Sequence, residues 1–225
     1  KWTQLLSTTT QGLNGVYADP VSQMAWAVGT GGISLTWQGS GWSSEQKGSS
    51  AALQDVWASS PTNVWAVGAT GTVLHGDGTS WTVVPSGTTQ PCDAVFGLDA
   101  NNVWVACRNG IFKWDGSSLQ LLENLPAAVV VSTLWAFGNE VWAAGSNGSI
   151  YRKQGAAAFA QVASGTSNYL YSLSGTASND IWAVGFNGTT LHWNGTWLTV
   201  ANGTTETLYR LTALAANDVW AVGSN

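Results

Sequence analysis

The side chains that could do chemistry in this sequence are few and far apart. There are two histidines, His75 and His192, three arginines, Arg108, Arg152 and Arg210, and two cysteines, Cys92 and Cys107. A histidine can serve as a general base for a nucleophile, but neither histidine lies in a recognisable nucleophile motif. A group of arginines can grip a carboxylate, yet these three fall at different points of the repeat described below and need not converge. Paired acids could cleave a glycosidic bond, but Asp55, Asp93, Asp99, Asp180 and Asp218 sit mostly where turns are expected, and turn chemistry accounts for Asp180 and Asp218. No His/Cys spacing suits zinc and no acidic loop suits calcium. The Gly-rich stretch at 29–32 joins two strands and opens no helix, so it is no phosphate loop. No catalytic residue, metal site or cofactor is expected.

The more promising chemistry is recognition. Fifteen residues are Trp. Three of them, Trp37, Trp114 and Trp193, stand beside a polar and variable column, Thr36, His75, Lys113, Arg152 and His192. The matching places elsewhere hold Gly76 and Lys153. A ring beside such neighbours can stack on a sugar while the polar groups bond its hydroxyls. The competing reading is that these rings cover strand edges.

These residues are positioned by a repeat. Six anchor residues, Trp26, Trp65, Trp104, Trp142, Trp182 and Trp220, are spaced 39, 39, 38, 40 and 38 apart. One unit reads from Leu53 as strand a (LQDVWAS), a turn, strand b (VWAVG), a turn, strand c (TVLH), a Gly/Asp turn and strand d (WTVV). Each strand is short, rich in β-formers and bounded by Gly, Asn, Asp and Ser. Helical periodicity is absent. Strand a starts at Leu13, Leu53, Cys92, Val131, Leu170 and Leu208. Strand d starts near Trp42, Trp81, Leu119, Phe159 and Trp197. Four antiparallel strands about every 39 residues predict an all-β fold, a β-propeller of four-stranded blades over residues 1–225, with six blades favoured and seven possible. The N-terminal KWTQLL reads as a stray strand d that closes the ring. The final copy ends after strand b, so a last strand c is expected beyond Asn225. The six anchor rings are expected to fill the gaps between blades. Trp2, Trp42, Trp81 and Trp197 are expected to close the turns before strand d.

NDVWAVG, followed by GTVLH and then DGTSW, resembles the Asp-box and photosystem-assembly-factor type of propeller repeat. The turn is reduced here: HGDGTSW (75–81) and KWDGSSL (113–119) keep the Asp, HWNGTW (192–197) has Asn, and TWQGSGW (36–42) has Gln. The resemblance implies the fold. For function it is broad, because such repeats occur in sialidases, lectin-like binders, assembly factors and receptors. A sialidase-like enzyme would need a convergent arginine cluster, which this sequence lacks. His75 and His192, three blades apart, are expected on opposite sides of a six-bladed ring.

Bulk properties narrow the partners. Only 8% of residues are charged and the net charge is -5, so neither nucleic acid nor an anionic membrane surface is an expected partner. No apolar run reaches spanning length. Cys92 and Cys107 are equidistant from the turn near Asp99–Ala100, which places them opposite each other on paired strands and makes a disulfide geometrically plausible. Such a bond points to a secreted, periplasmic or cell-surface protein. The Asn-Gly-Ser/Thr sites at Asn147, Asn187, Asn194 and Asn202 read as tight turns that could carry glycans in a secreted eukaryotic protein. The expected function is a non-catalytic, extracytoplasmic ligand-binding propeller, carbohydrate-binding through the Trp37, Trp114 and Trp193 column. The alternative is a protein-interaction scaffold using Tyr17, Tyr169, Tyr171, Tyr209 and Arg210, the least repeat-like residues of strand a.

Overall fold

The computed structural model describes residues 6–45 and 49–225. The strand expected at the N-terminus lies, save for Leu6, outside the described residues, and Trp2 with it. Two compact units divide the chain, residues 1–122 and 123–225. The division falls inside a strand, not in a linker.

The first unit holds three antiparallel sheets in simple up-and-down order. Blade 1 is β1 (Leu13–Ala18), β2 (Ala25–Gly29), β3 (Ser34–Trp37) and β4 (Trp42–Glu45). Blade 2 is β5 (Leu53–Ser60), β6 (Asn63–Gly68), β7 (Val73–Gly76) and β8 (Trp81–Val83). Blade 3 is β9 (Cys92–Asp99), β10 (Asn102–Cys107), β11 (Gly110–Trp114) and β12 (Leu119–Asn124). The second unit repeats the plan. Blade 4 is β13 (Val131–Phe137), β14 (Glu140–Gly145), β15 (Ile150–Gln154) and β16 (Ala160–Val162). Blade 5 is β17 (Leu170–Ala177), β18 (Asp180–Gly185), β19 (Thr190–Trp193) and β20 (Trp197–Thr199), and β21 (Leu208–Ala215) pairs with β22 (Asp218–Gly223) in a two-stranded sheet.

Strand b is apolar on both faces because it is covered on both. All six residues of β6 and of β14 are buried, as expected for a sheet packed between neighbouring sheets. In the first unit the cores join adjacent blades: Trp26 and Val28 of blade 1 cluster with Leu53, Val64 and Leu74 of blade 2, and Trp65 and Val67 of blade 2 cluster with Val95, Val105 and Phe112 of blade 3. Strand a of each blade lies against strand a of the next within each unit.

In blade 3 Arg108 and Asn109 turn the chain from b to c, and in blades 1, 2, 4 and 5 the connection is a single 3-10 turn. Its middle residue is left-handed at Gly31, Thr70, Asn147 and Asn187, with φ near 53–66°, and the next residue is always Gly, such as Gly71 at φ 71°. A Cβ on Gly71 would stand 1.9 Å from the carbonyl oxygen of Thr88. Both the φ and the space therefore demand glycine.

Strand a is longer than the four to six residues expected, reaching eight in β5, β9, β17 and β21. The added length accommodates a bulge after its first residue in every copy. Asn14, Gln54, Asp93, Ser132, Tyr171 and Tyr209 are skipped by the ladder. A bulge bends the strand and re-aims the side chain it leaves unpaired. Two of these side chains bond the neighbouring blade: Asn14 Nδ2 donates to the Leu53 carbonyl at 2.8 Å, and Ser132 Oγ to that of Leu170 at 2.5 Å. The residue after the bulge adds a second latch. Leu173 N donates to Thr133 Oγ1 and Leu211 N to Ser172 Oγ, both at 3.1 Å, and Val95 N donates to Asp55 Oδ2 at 3.0 Å.

In blade 3 the same bulge brings Cys92 directly opposite Cys107, and the structure joins them in a disulfide. Both are fully buried in the core shared by blades 2 and 3. The bond closes a 15-residue separation. A Cys92→Ala, Cys107→Ala double variant is expected to lose about 3 kcal/mol of unfolding free energy. Urea denaturation followed by Trp fluorescence checks this. An unchanged midpoint would show that the bond contributes nothing to the fold.

Candidate functional site

The polar column expected to meet a ligand is mostly engaged inside its own blade. Strand c pairs with strand b so that His75 lies opposite Trp65, Lys113 opposite Trp104, Arg152 opposite Trp142 and His192 opposite Trp182. The residue two before the anchor Trp shares its face of strand b, and in blades 2, 4 and 5 it receives both partners. In blade 2, Asn63 Oδ1 accepts from Trp65 Nε1 at 3.1 Å and from His75 Nε2 at 2.8 Å, while Asn63 Nδ2 donates to Ser59 Oγ. The indole N–H can only donate, so Oδ1 is the acceptor and the His75 proton is on Nε2. Burial pushes the His75 pKa down, against a smaller upward pull from Asp77.

Blade 4 builds the same network from charges. Glu140 accepts from Trp142 Nε1 at 3.2 Å, from Arg152 at 2.7 and 3.2 Å, and from Gln154 at 3.0 Å. The Arg152 guanidinium also lies 4.9 Å from the Trp142 ring. Blade 5 uses Asp180, which accepts from Trp182 Nε1 at 3.2 Å, from His192 Nε2 at 2.7 Å and from Thr176 Oγ1. Burial raises the pKa of Glu140 and of Asp180, but the hydrogen bonds received by each outweigh it and hold both below their ordinary values. Asp180 is thus more than a turn residue: it closes a partly buried indole–carboxylate–imidazole network. In the last repeat Asp218 accepts from Trp220 Nε1 at 2.7 Å. Blade 3 departs. Asn102 turns to Asp99, Lys113 lies 5.6 Å from the Trp104 ring, and Trp104 Nε1 is buried without a hydrogen-bond partner among the described residues.

The rings expected at a sugar site also face inward. Trp193 is only 7% exposed, packed 5.0 Å from Trp142 of blade 4 and 5.6 Å from Trp197. Thr36 is 2% exposed. Trp193 offers little surface to a sugar, because it is covered by Trp142 and Trp197. Trp114 is half-buried against Trp65 of blade 2 at 5.0 Å, with His75 at 6.4 Å. Trp37 is half-buried against Trp42 at 5.7 Å.

The turns before strand d follow the reduced Asp-box pattern. Asp77 accepts from the backbone and hydroxyl groups of Thr79 and Ser80, and Asp115 does the same with Ser117 and Ser118. The backbone N–H of Ser80 contributes most to the strong lowering at Asp77. That of Ser118 leads at Asp115, whose pKa falls to about 2.

A different set of residues does gather at a surface. Tyr169 and Tyr171 stack at 4.6 Å, and Tyr171 lies 5.3 Å from Tyr209. Tyr171 and Tyr209 are the bulge residues of consecutive strands a, β17 and β21. Tyr209 is 49% exposed, and Arg210, beside it, is exposed. Tyr17 does not join them. It belongs to the first unit and packs 6.3 Å from Trp57.

Among the described residues no three His, Cys, Asp or Glu side chains gather as metal ligands would, and no helix is long and apolar enough to cross a membrane. Up-and-down four-stranded sheets at a 39-residue period define the class of protein: an all-β chain of the β-propeller class, with about six blades. Solved structures agree. The chain is similar to YCF48 bound to D1 peptide, at 14% identity and TM-score 0.74 over 99% of this chain and 77% of that one. It is also similar to the Myceliophteria thermophila Cps50 (Swd1) β-propeller domain, at 11% identity and TM-score 0.75 over 94% and 80%. The likeness extends to YCF48 from Cyanidioschyzon merolae, at 14% identity and TM-score 0.53 over 100% and 96%. No protein-family model and no curated protein matches the sequence.

Two tests follow from the networks. Arg152→Met leaves the Glu140 carboxylate, 9% exposed at its side chain, without its cation and is expected to cost about 3 kcal/mol. The Arg152→Met, Glu140→Met pair is expected to recover most of that loss, and equal losses in both would refute the buried-charge account. The second test is acid titration. Asp77, Asp115 and Asp180 have folded pKa values below their unfolded ones, so their contribution is complete above about pH 4 and is lost as the pH falls through the folded values. Tm measured from neutral pH to pH 2 is expected to fall in this acid range, and less steeply in Asp180→Asn.

Proposed function

We propose that this chain is a non-catalytic propeller scaffold that holds a protein partner on the face formed by Tyr169, Tyr171, Tyr209 and Arg210. The observation that carries the reading is the tyrosine ladder. Tyr171 and Tyr209 occupy bulge positions where other blades place Asn, Gln, Asp or Ser, so the fold itself does not ask for them. Tyr and Arg are the side chains that anchor protein interfaces, because they bring large contact area and polar handles at small entropic cost. The likeness to YCF48, seen bound to a D1 peptide, and to the Swd1 propeller supports a scaffold over a sugar binder. The inward-facing Trp193 and Thr36 weaken the carbohydrate reading. We take residues 1–225 as a single propeller domain. The buried Cys92–Cys107 bond supports a secreted, periplasmic or cell-surface location.

The test is selection of a displayed peptide library on the wild-type protein, followed by titration of the selected peptides against Tyr171→Ala, Tyr209→Ala. Loss of binding by roughly thirtyfold is expected, the scale of removing interface anchors worth about 2 kcal/mol. Both side chains are partly or largely exposed, so Tm should hold. Selected peptides that bind this variant as well as wild type would place the interface elsewhere.

A further inference from the structure

The dipeptide Asn-Gly occurs six times in the sequence, at Asn14, Asn109, Asn147, Asn187, Asn194 and Asn202. It has a chemistry of its own. The glycine nitrogen, unhindered by a neighbouring side chain, can attack the carbonyl carbon of the asparagine side chain and close a five-membered ring. The fold decides which of these pairs can reach that geometry.

Five are held back. Asn14 Nδ2 donates to the Leu53 carbonyl at 2.8 Å. Asn202 Nδ2 donates to the Gly188 carbonyl and to Thr190 Oγ1, each at 2.7 Å, and Asn202 Oδ1 accepts from Thr204 N at 3.0 Å. Asn109 Oδ1 accepts from Thr88 Oγ1 at 3.2 Å, and Gly110 is fixed in the ladder opposite Cys107. Asn147 and Asn187 are exposed, but their backbone is left-handed, with ψ 29° and 43°. At those angles the glycine nitrogen lies nearly trans to Cβ across the Cα–C bond, away from the carbonyl it would attack. Rotating ψ to bring them together would undo the 3-10 turn, closed by Ser149 N to Ser146 O at 3.0 Å and by Thr189 N to Phe186 O at 3.1 Å.

Asn194 has none of these restraints. Asn194, Gly195 and Thr196 are all exposed in the bend between β19 and β20. Asn194 is not left-handed. One backbone hydrogen bond spans the bend, Asn194 N to Thr196 O at 3.3 Å. The Asn194 amide has no hydrogen-bond partner among the described residues.

We propose that Asn194 is a site of spontaneous modification, deamidating through a succinimide ahead of the other five. The Gly195 nitrogen bonds to Asn194 Cγ, the Cγ–Nδ2 bond breaks, and the amide leaves as ammonia with the Gly195 proton. Water then opens the ring at either carbonyl and leaves aspartate or isoaspartate, each with a new negative charge. The isoaspartyl product routes the main chain through the former side chain and adds one carbon to the turn. That turn joins Trp193 to Trp197, which face each other across the ladder and both pack on Trp142, at 5.0 and 5.7 Å.

The test is incubation of the folded protein in mildly alkaline buffer, with conversion at all six sites followed by peptide mapping and mass spectrometry. Asn194 is expected to convert roughly tenfold faster than Asn202, which must first give up its hydrogen bonds. In urea with the disulfide reduced, the six rates should draw together, because only the fold separates them. Thr190→Val leaves the Asn202 amide one acceptor and should speed that site. Tm is expected to fall in step with conversion at Asn194, and to hold in Asn194→Gln, whose longer side chain closes a ring far more slowly. Another site leading in the folded protein, or the same spread of rates in urea, would overturn the inference.

Discussion

A tryptophan at the centre of a blade supplies a large apolar ring and one N–H that cannot be left dry. Burying the ring against the next sheet is the main contribution of the strand-b position, since an indole removes on the order of 200 Å² from water. Burying its N–H without a partner costs about 1–3 kcal/mol. Blades 2, 4 and 5 meet this constraint with an acceptor two residues earlier on the same face, at Asn63, Glu140 and Asp180. That acceptor in turn requires a donor from strand c, and His75, Arg152 and His192 provide it. Blade 3 shows the alternative: Trp104 keeps its ring packing with its N–H unmatched, and Lys113 lies over the ring instead.

The bulge in strand a has a comparable reach. It lets a strand paired with β-ladder regularity turn one side chain out of the alternation. Where that residue is Asn14 or Ser132, it latches the next blade by a backbone hydrogen bond. Tyr171 and Tyr209 in the same position build a surface ladder with Tyr169. One backbone device thus serves cohesion in some blades and display in another. A single-residue bulge leaves the rest of the sheet in register, so the change of use needs no change of fold.

The variation of the strand-c column has a structural side that the sequence reading did not include. Thr36, His75, Lys113, Arg152 and His192 differ from blade to blade, and variation at a matching position looks like adaptation to a ligand. Much of it is matching to a partner twelve residues earlier: Asn63 with His75, Glu140 with Arg152, Asp180 with His192. An amide oxygen accepts from the imidazole in one blade and a carboxylate from the guanidinium in another. That pairing at constant separation was visible in the sequence and would have identified the networks.

The repeat period, the strand order and the start of every strand a were legible in the sequence alone. They follow from local chemistry: β-branched and aromatic residues in short runs, and Gly, Asn and Asp where the backbone must turn left. The cysteine pairing was legible too, because index sums across a hairpin are local. What only the tertiary structure decided is which face each strand-c residue turns to and what covers it. Trp193 reads as a rim residue in a single blade and becomes core when Trp142 of the blade before it closes over it. Burial in stacked sheets is set by the neighbouring sheet, some forty residues away in the chain, and no pattern within one strand contains it.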